Sequence, residues 1–152
     1  LTYSLIVMPK KTNKSHPRQS SQTISAKGLR VFVKGALRTT WVTQNVHDWL
    51  SARSDPEKVE EYEQYQRLKQ TCRRICDYKG APVPWLTPEG THRGVSIVAV
   101  RQAQVRLYGT LCNVGATRGL LITELDPAKK SNKADKSLLD KAAQEVIKLR
   151  KN

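Results

Sequence analysis

The last third of the chain, residues 95–148, constrains the fold more than any other part. It contains three short runs rich in apolar residues, at 95–101, 104–111 and 118–124, separated by connections too short to form a helix. Short apolar runs joined by tight turns predict the strands of an antiparallel meander. An amphipathic pattern then predicts a final helix over 135–149. This part of the chain therefore predicts a small antiparallel sheet followed by a helix.

Three further elements precede this sheet. Alternation of apolar and polar residues predicts a strand over 28–34. Thr39 or Thr40 can begin a short helix, because the apolar residues that follow recur at helical spacing. Asp55, which stands before a proline, is a typical first cap for a long helix over 56–78. These patterns place two helices between the first strand and the meander.

The segment between the long helix and the meander, residues 81–94, holds three prolines and two glycines. That composition predicts a loop. The resulting order of elements is β-α-α-β-β-β-α, and one sheet with helices against one face is its simplest packing. We therefore predict a single α+β domain over 28–152, with the other face of the sheet left to cations and solvent.

The composition of residues 1–27 predicts a flexible basic arm. The stretch 9–27 is polar and basic and contains no acidic residue, a composition typical of disorder. Such an arm could contact phosphates, and a tail that is simply solvated is equally consistent with the pattern.

The charge of the chain indicates a polyanionic partner. Its 152 residues carry 27 Lys or Arg against 13 Asp or Glu, for a formal net charge of +14. A charge of this size favours nucleic acid or an anionic membrane. No apolar run is long enough to span a bilayer, and the cations do not follow one amphipathic helix, so we expect no membrane partner.

Three cysteines, an odd number without paired spacing, argue against a disulfide framework and favour a reducing cytoplasm. Cys72 and Cys76 stand four residues apart on the predicted long helix, where two metal ligands could lie. We interpret them as small apolar residues on a buried helix face. No histidine has metal-ligand spacing to them, so we expect no metal and no cofactor.

The candidate site lies on the hairpin formed by the first two strands of the meander. With Gln102 and Ala103 as its turn, Arg101 opposes Gln104, and Val100 faces Val105. The predicted buried face carries Val98, Val100, Leu107 and Leu111, and the predicted exposed face carries Arg101, Arg106 and Tyr108. Two guanidiniums and a phenol on one patch suit phosphate binding and stabilisation of a phosphorane-like transition state. Ordinary solvated strand surface is the alternative.

Further cations follow the meander. Lys129 and Lys130 come just after the third strand, and with Lys133 and Arg118 they are candidates for neutralising RNA phosphates. His92, in the predicted loop before the sheet, could reach the basic face, although a surface loop position is the plainer interpretation.

In their order along the chain, the VHDWL helix, the long helix after DPEK, the VAVRQAQVRLYG hairpin and the AKK segment resemble the RelE/ParE toxin superfamily, particularly its HigB-like and phage-derived members. The resemblance covers roughly residues 28–148. It implies a small basic cytoplasmic toxin that binds the ribosome, cleaves mRNA without a metal, and is neutralised by an antitoxin, often a helix-turn-helix protein.

Carried over by position, Arg101 resembles the arginine that ends the first hairpin strand of that family, and Arg106 resembles its transition-state or phosphate-binding arginine. Lys129 and Lys130 resemble its basic pair before the last helix. Tyr108 then corresponds to a base or a stacking residue. Many catalytic members place a His or Tyr near the C-terminus, whereas this chain ends KLRKN. The general acid is therefore unassigned, with His92 as a substitute.

The leading hypothesis is a ribosome-dependent, metal-independent mRNA endoribonuclease toxin, whose partners are mRNA, the ribosome and an antitoxin. Three alternatives stay open. They are a non-catalytic protein that binds RNA or DNA, a ParE-like toxin directed at gyrase, and an α+β domain whose charge serves only solubility.

Overall fold

The computed structural model describes residues 23–130 and 133–151. Within these ranges, six strands form one sheet in the order β1-β2-β6-β5-β4-β3. Strands β2 and β6 are parallel, and every other neighbouring pair is antiparallel. The elements are β1 Arg30–Lys34, β2 Thr39–Val42, α1 Gln44–Ser51, α2 Val59–Asp77, β3 Leu86–His92, β4 Val95–Gln102, β5 Val105–Val114, β6 Thr117–Asp126 and α3 Lys136–Arg150. The predicted mixture of helices with a small sheet is confirmed, whereas the order of elements is β-β-α-α-β-β-β-β-α.

Strand β2 occupies the stretch that the sequence predicted as the start of the first helix. Its residues are β-branched or aromatic, which suits a strand, and it pairs in parallel with β6, from Thr39 opposite Gly119 to Val42 opposite Ile122. Helix α1 begins only after Thr43. The local helical spacing was misread because a distant strand, β6, determines the conformation of this segment.

Strand β3 lies inside the predicted loop 81–94. It is the edge strand next to β4, and its pairing is irregular between Pro88 and Thr91. An edge strand tolerates proline because its outward N–H groups have no strand to bond. The prolines that predicted a loop therefore mark the edge of the sheet.

Helix α2 begins at Val59, later than predicted. The Asp55 carboxylate accepts a hydrogen bond from the Glu57 N–H at 3.0 Å, and the Asp55 carbonyl accepts one from the Lys58 N–H at 3.0 Å. Asp55 thus caps a turn that leads into the helix, and the helix itself follows one turn later.

Helices cover both faces of the sheet, in contrast to the predicted single layer. Helices α1 and α2 pack on one face, against a cluster that includes Val100 and Leu107. Helix α3 packs on the other, against a cluster that includes Ile97, Ala99 and Tyr108. The reason is that both alternating sets of residues along β4 are apolar, so that both of its faces need burial.

The fold also begins before residue 28, the predicted start of the domain. Ile24 is fully buried and forms a parallel bridge with Val114. Its N–H donates to the Asn113 carbonyl at 3.0 Å, and its carbonyl accepts from the Gly115 N–H at 2.8 Å. The remainder of the predicted arm, residues 1–22, lies outside the described residues. Among the described helices, none is long and apolar enough to cross a membrane.

Candidate functional site

The hairpin between β4 and β5 brings the two predicted arginines directly opposite each other. Gln102 pairs with Val105, so the turn consists of Ala103 and Gln104, and Ala103 takes a left-handed φ of 53°. The predicted turn was displaced by one residue. Consequently Arg101 opposes Arg106, where the sequence predicted Gln104. Both registers place the two arginines on one face of the sheet, because side chains alternate along each strand.

The two arginines have different surroundings. Arg101 is exposed, whereas Arg106 is only 8% exposed. The Arg106 guanidinium donates through Nη1 to the carbonyls of Ala103 at 2.7 Å and Val105 at 2.9 Å, which fixes it across the turn. Like charges directly opposite in a sheet are destabilising. A bound anion would relieve this repulsion, so the pair has the electrostatics of an anion site.

The connector after β6 docks against the same turn. The Lys129 backbone N–H donates to the Gln104 carbonyl at 2.8 Å. Asp126, at the end of β6, is the residue directly opposite Arg106 in the pairing of β5 with β6. A surface depression at this end of the sheet is lined by Asp126, Ala128, Lys129, Lys130, Lys133, Ala134 and Asp135. We name the cations gathered at this end the hairpin-end cluster, which comprises Arg101, Arg106, Lys129, Lys130 and Lys133.

The two carboxylates in the depression are engaged by backbone N–H groups. Asp126 accepts from the Ala128 N–H at 3.1 Å, and Asp135 caps α3 by accepting from the Ser137 N–H at 2.8 Å. They offset part of the positive charge of the hairpin-end cluster, and cations still outnumber them. This end of the sheet therefore suits a ligand with several phosphates.

The opposite side of the turn carries charges of both signs. There a second depression between α2 and the turn is lined by Glu60, Glu63, Gln64, Arg67, Gln102 and Ala103. The segregation of acidic residues toward the start of α2 was visible in the sequence, where it supports the helix dipole. In the fold it also places Glu60 and Glu63 beside the turn, on the side away from the hairpin-end cluster.

Tyr108 does not belong to an exposed patch, and that prediction was wrong. It shares the face of Arg106, but helix α3 covers this part of the face and leaves Tyr108 fully buried. Burial first, and then the nearby Glu89 and Asp126 carboxylates, raise the pKa of Tyr108 to about 12. Its hydroxyl has no hydrogen-bond partner among the described residues. A buried neutral phenol can neither accept a proton from a substrate nor stack on a base.

His92 and Arg118 lie at the other end of the sheet. His92 pairs with Val95 at the start of β4, and its Nε2 is 2.8 Å from the Glu89 carbonyl. Arg118 is exposed near the start of β6, where it pairs with Asn113. Because the hairpin-end cluster lies where β4 and β6 end, the structure does not bring either residue to it.

The cysteines of α2 are buried, in agreement with the apolar interpretation. Cys72 is fully buried, and burial, followed by the neighbouring Cys76, raises the pKa of its thiol to about 12. Within the described part of the chain, no group of three or more His, Cys, Asp or Glu side chains is arranged to hold a metal.

Sequence reasoning missed two features of this end of the sheet. One is the docking of the connector onto the turn, and the other is Asp126, the strand partner of Arg106. The register of β5 with β6 would have revealed Asp126, but a bulge between Tyr108 and Gly109 interrupts it. Comparison of the chain with protein-family models, with curated proteins and with solved structures finds no match.

Proposed function

We propose that this protein binds RNA at the hairpin-end cluster. We further propose that it acts as a toxin of a toxin-antitoxin pair, cleaving mRNA on the ribosome without a metal. The observation that carries the proposal is the direct opposition of Arg101 and Arg106 across β4 and β5. A pair of like charges that costs stability calls for an anionic ligand, and guanidinium groups bind phosphates through paired hydrogen bonds.

The lysines of the hairpin-end cluster extend this anion site along the surface. Lys130 and Lys133 are exposed and line the depression beside the turn. RNA presents phosphates at regular intervals, so a row of cations leading away from an arginine pair matches it better than a small anion. The excess of basic residues, 27 against 13 acidic ones, attracts the same ligand over a longer range.

In the proposed reaction, the 2′-hydroxyl oxygen of the RNA attacks the adjacent phosphorus, and the bond from phosphorus to the 5′ oxygen breaks. The products are a 2′,3′-cyclic phosphate and a 5′-hydroxyl end. Arg101 and Arg106 stabilise the extra negative charge on the phosphoryl oxygens in the transition state. Proton transfer falls to water, because Tyr108 is buried and His92 lies at the other end of the sheet.

The test combines Arg101→Ala with Lys130→Ala, two exposed positions whose replacement leaves the core intact. The matched control is Lys141→Ala with Lys151→Ala, which removes the same charge from exposed positions of the last helix and its end. Affinity for a labelled single-stranded RNA is measured by fluorescence anisotropy across a salt series. Each lost phosphate contact should reduce the slope of log affinity against log salt by about 0.7. Equal slopes for the two double variants would contradict the proposed site.

The toxin function is tested in bacteria that express the chain from an inducible promoter. We expect growth arrest and new 5′ ends in translated messages, both relieved by the Arg101 and Lys130 double variant and retained by the control. A gyrase supercoiling assay separates this outcome from a ParE-like toxin, which would inhibit supercoiling and leave messages intact.

A second candidate is RNA binding without cleavage, and the burial of Tyr108 favours it. Among the predicted catalytic residues, no proton-transferring side chain lies in the hairpin-end cluster. Purified translating ribosomes decide between the two functions. Binding that depends on Arg101, with messages left intact, selects this second candidate.

A further inference from the structure

Trp85 is the only Phe, Trp or Tyr side chain that is exposed in the part of the chain that the structure describes, at 44%. Its neighbours Val83 and Leu86 are half-buried against the cluster under α1 and α2, whereas Trp85 belongs to neither buried cluster. Its φ of 69° lies in the left-handed region, which is an outlier for a bulky residue. Strained residues of this kind gather at functional positions. Exposure and backbone conformation thus both set Trp85 apart from the core.

The indole ring of Trp85 rests against Tyr78, the residue that follows α2. Their ring centroids are 5.9 Å apart and the ring planes lie at 90°. Whichever ring presents its edge, Tyr78 covers at most one face of the indole. Tyr78 is itself fixed, because its carbonyl accepts a hydrogen bond from Arg38 Nη1 at 2.9 Å. Its ring also packs over Gly80, where an added Cβ would lie 2.9 Å from the Tyr78 Cε2. The structure therefore supports the indole from one side and leaves a face for a planar ligand.

The charges around this ring favour a polyanion. Residues 78–88 contain no Asp or Glu, Lys79 lies near the start of this segment, and Arg74 lies in the last turn of α2. Lys79 and Arg74 are exposed, and neither forms an ion pair within the described ranges. The carboxylate of Asp77 accepts a hydrogen bond from a backbone N–H at 2.7 Å and pairs with Arg73 at 3.3 Å. A planar ligand that also carries negative charge, such as a nucleotide, suits this position.

The sheet register brings the Trp85 backbone near the hairpin-end cluster. Leu86 pairs with Val100, and Trp85 and Arg101 are the next residues beyond that pair. Because β3 begins at Leu86, β4 has an open edge beside Arg101. The indole extends towards the end of α2, whereas Arg101 shares the other face with Arg106, so a ligand that reaches both crosses this edge. Single-strand binding sites span about 4–16 nucleotides, which is long enough for one strand to do so.

We propose that Trp85 stacks on an unpaired base of the RNA strand whose phosphates the hairpin-end cluster binds. This inference rests on the proposed RNA function and names the form of its substrate, a single strand with accessible bases. Bases within a duplex stack on one another, so they do not offer a face to the indole. Stacking on an aromatic ring tolerates every base, because each has a π-face. Trp85 therefore adds affinity for single strands without selecting a sequence.

The test compares two labelled strands of about ten nucleotides. One consists of uridine nucleotides, and the other is an abasic counterpart that keeps the sugar-phosphate backbone. Fluorescence anisotropy with the full chain should show that the uridine strand binds at least about fivefold more tightly. Equal affinities would overturn this inference and leave the proposed phosphate site standing. Absence of binding to either strand would overturn the proposed RNA function and this inference together.

Trp85→Ala should remove the difference between the two strands, whereas Trp85→Phe should retain most of it because a ring remains. The matched control is Val59→Ala, which also shortens an exposed apolar side chain and should keep the difference. The ratio of the two affinities is taken within each variant, so it does not depend on the folded fraction. The salt dependence of binding should be unchanged in Trp85→Ala, because no phosphate contact is lost. A preference for the uridine strand that survives Trp85→Ala would overturn the inference.

Intrinsic tryptophan emission locates the stacked base. The uridine strand should quench the emission of the unsubstituted protein and leave that of Trp85→Phe unchanged, because Trp41 and Trp49 are half-buried. Quenching that persists in Trp85→Phe would place the base on another tryptophan and overturn the inference. Vesicles of anionic phospholipid provide the last comparison. Vesicle binding that Trp85→Ala abolishes, with the affinity for both strands unchanged, would assign the ring to a membrane surface and overturn the inference.

Discussion

The two faces of the sheet differ in how well their buried polar groups are satisfied. The face under α1 and α2, the apolar face, buries mainly apolar side chains, among them Leu68, Cys72 and Leu107. Its buried Thr40 is engaged by the helix, with Oγ1 3.1 Å from the Cys76 Sγ. The face under α3 includes buried polar groups, among them Arg106, the orphaned hydroxyl of Tyr108, and Thr123, which donates to the Ala142 carbonyl at 2.9 Å. The second face thus carries a guanidinium directly opposite Arg101 and a hydroxyl without a partner among the described residues, which stability alone does not require.

The largest effect should come from the apolar face. Leu68→Ala removes a fully buried side chain from α2, and we expect the free energy of unfolding to fall by about 2–5 kcal/mol, because a cavity adds to the lost burial. Urea denaturation at neutral pH measures it. Val59→Ala, at a position of the same helix that is 64% exposed, is the control and should change stability by less than about 0.5 kcal/mol. Similar losses in both variants would mean that this face is not closely packed.

The apolar face should also make the protein sensitive to alkali. The pKa of Cys72 is raised from 9.0 to about 12, so an unfolded chain loses this proton before the folded one does. Stability contributed by the neutral thiol is complete below pH 9.0 and is lost as pH rises toward 12. The free energy of unfolding, measured from neutral pH upward, should begin to fall above pH 9.0. This group contributes at most ~1.4 kcal/mol per pH unit to the fall.

Cys72→Ala tests the assignment through the slope rather than through absolute stability. The variant should show a shallower alkaline decline than the unsubstituted protein. The remaining decline comes from other buried groups, including Cys112, whose pKa burial raises to about 11. An unchanged slope would show that water reaches Cys72, and the contrast between the two faces would then fail.

The apolar periodicity predicted a mixture of helices with a small sheet, because apolar residues recur along each strand and helix. It placed the hairpin arginines on one face despite a turn displaced by one residue. It failed where a distant partner decides the conformation, as in β2, whose neighbour β6 comes far later in the chain. It also failed for Tyr108, because no pattern within β5 tells that α3 will cross that face.

On the polar face, the Tyr108 hydroxyl offers a sharper test. It is buried without a hydrogen-bond partner in the part of the chain that the structure describes, and an unsatisfied buried polar group costs about 1–3 kcal/mol. Tyr108→Phe removes the hydroxyl and keeps the ring, so we expect stability to rise by about 1 kcal/mol. Thermal and urea unfolding measure the change, and RNA affinity should stay the same. A loss of stability would show that the hydroxyl has a hydrogen-bond partner. A loss of RNA affinity would show that Tyr108 contributes to RNA binding.

The smallest expected effect separates function from stability at Arg101. Arg101→Gln removes the charge opposite Arg106, so the free energy of unfolding should rise by a few tenths of a kcal/mol, at most about 1 kcal/mol. RNA affinity should fall in the same variant, with a shallower dependence on salt. Arg101→Lys keeps the charge and should retain the repulsion, while the paired hydrogen bonds to phosphate are lost. A rise in stability together with a fall in RNA affinity in Arg101→Gln is the result expected if this charge serves a ligand. If both quantities fall together, Arg101 supports the hairpin itself, and the contrast between a stabilising face and a functional one loses its strongest example.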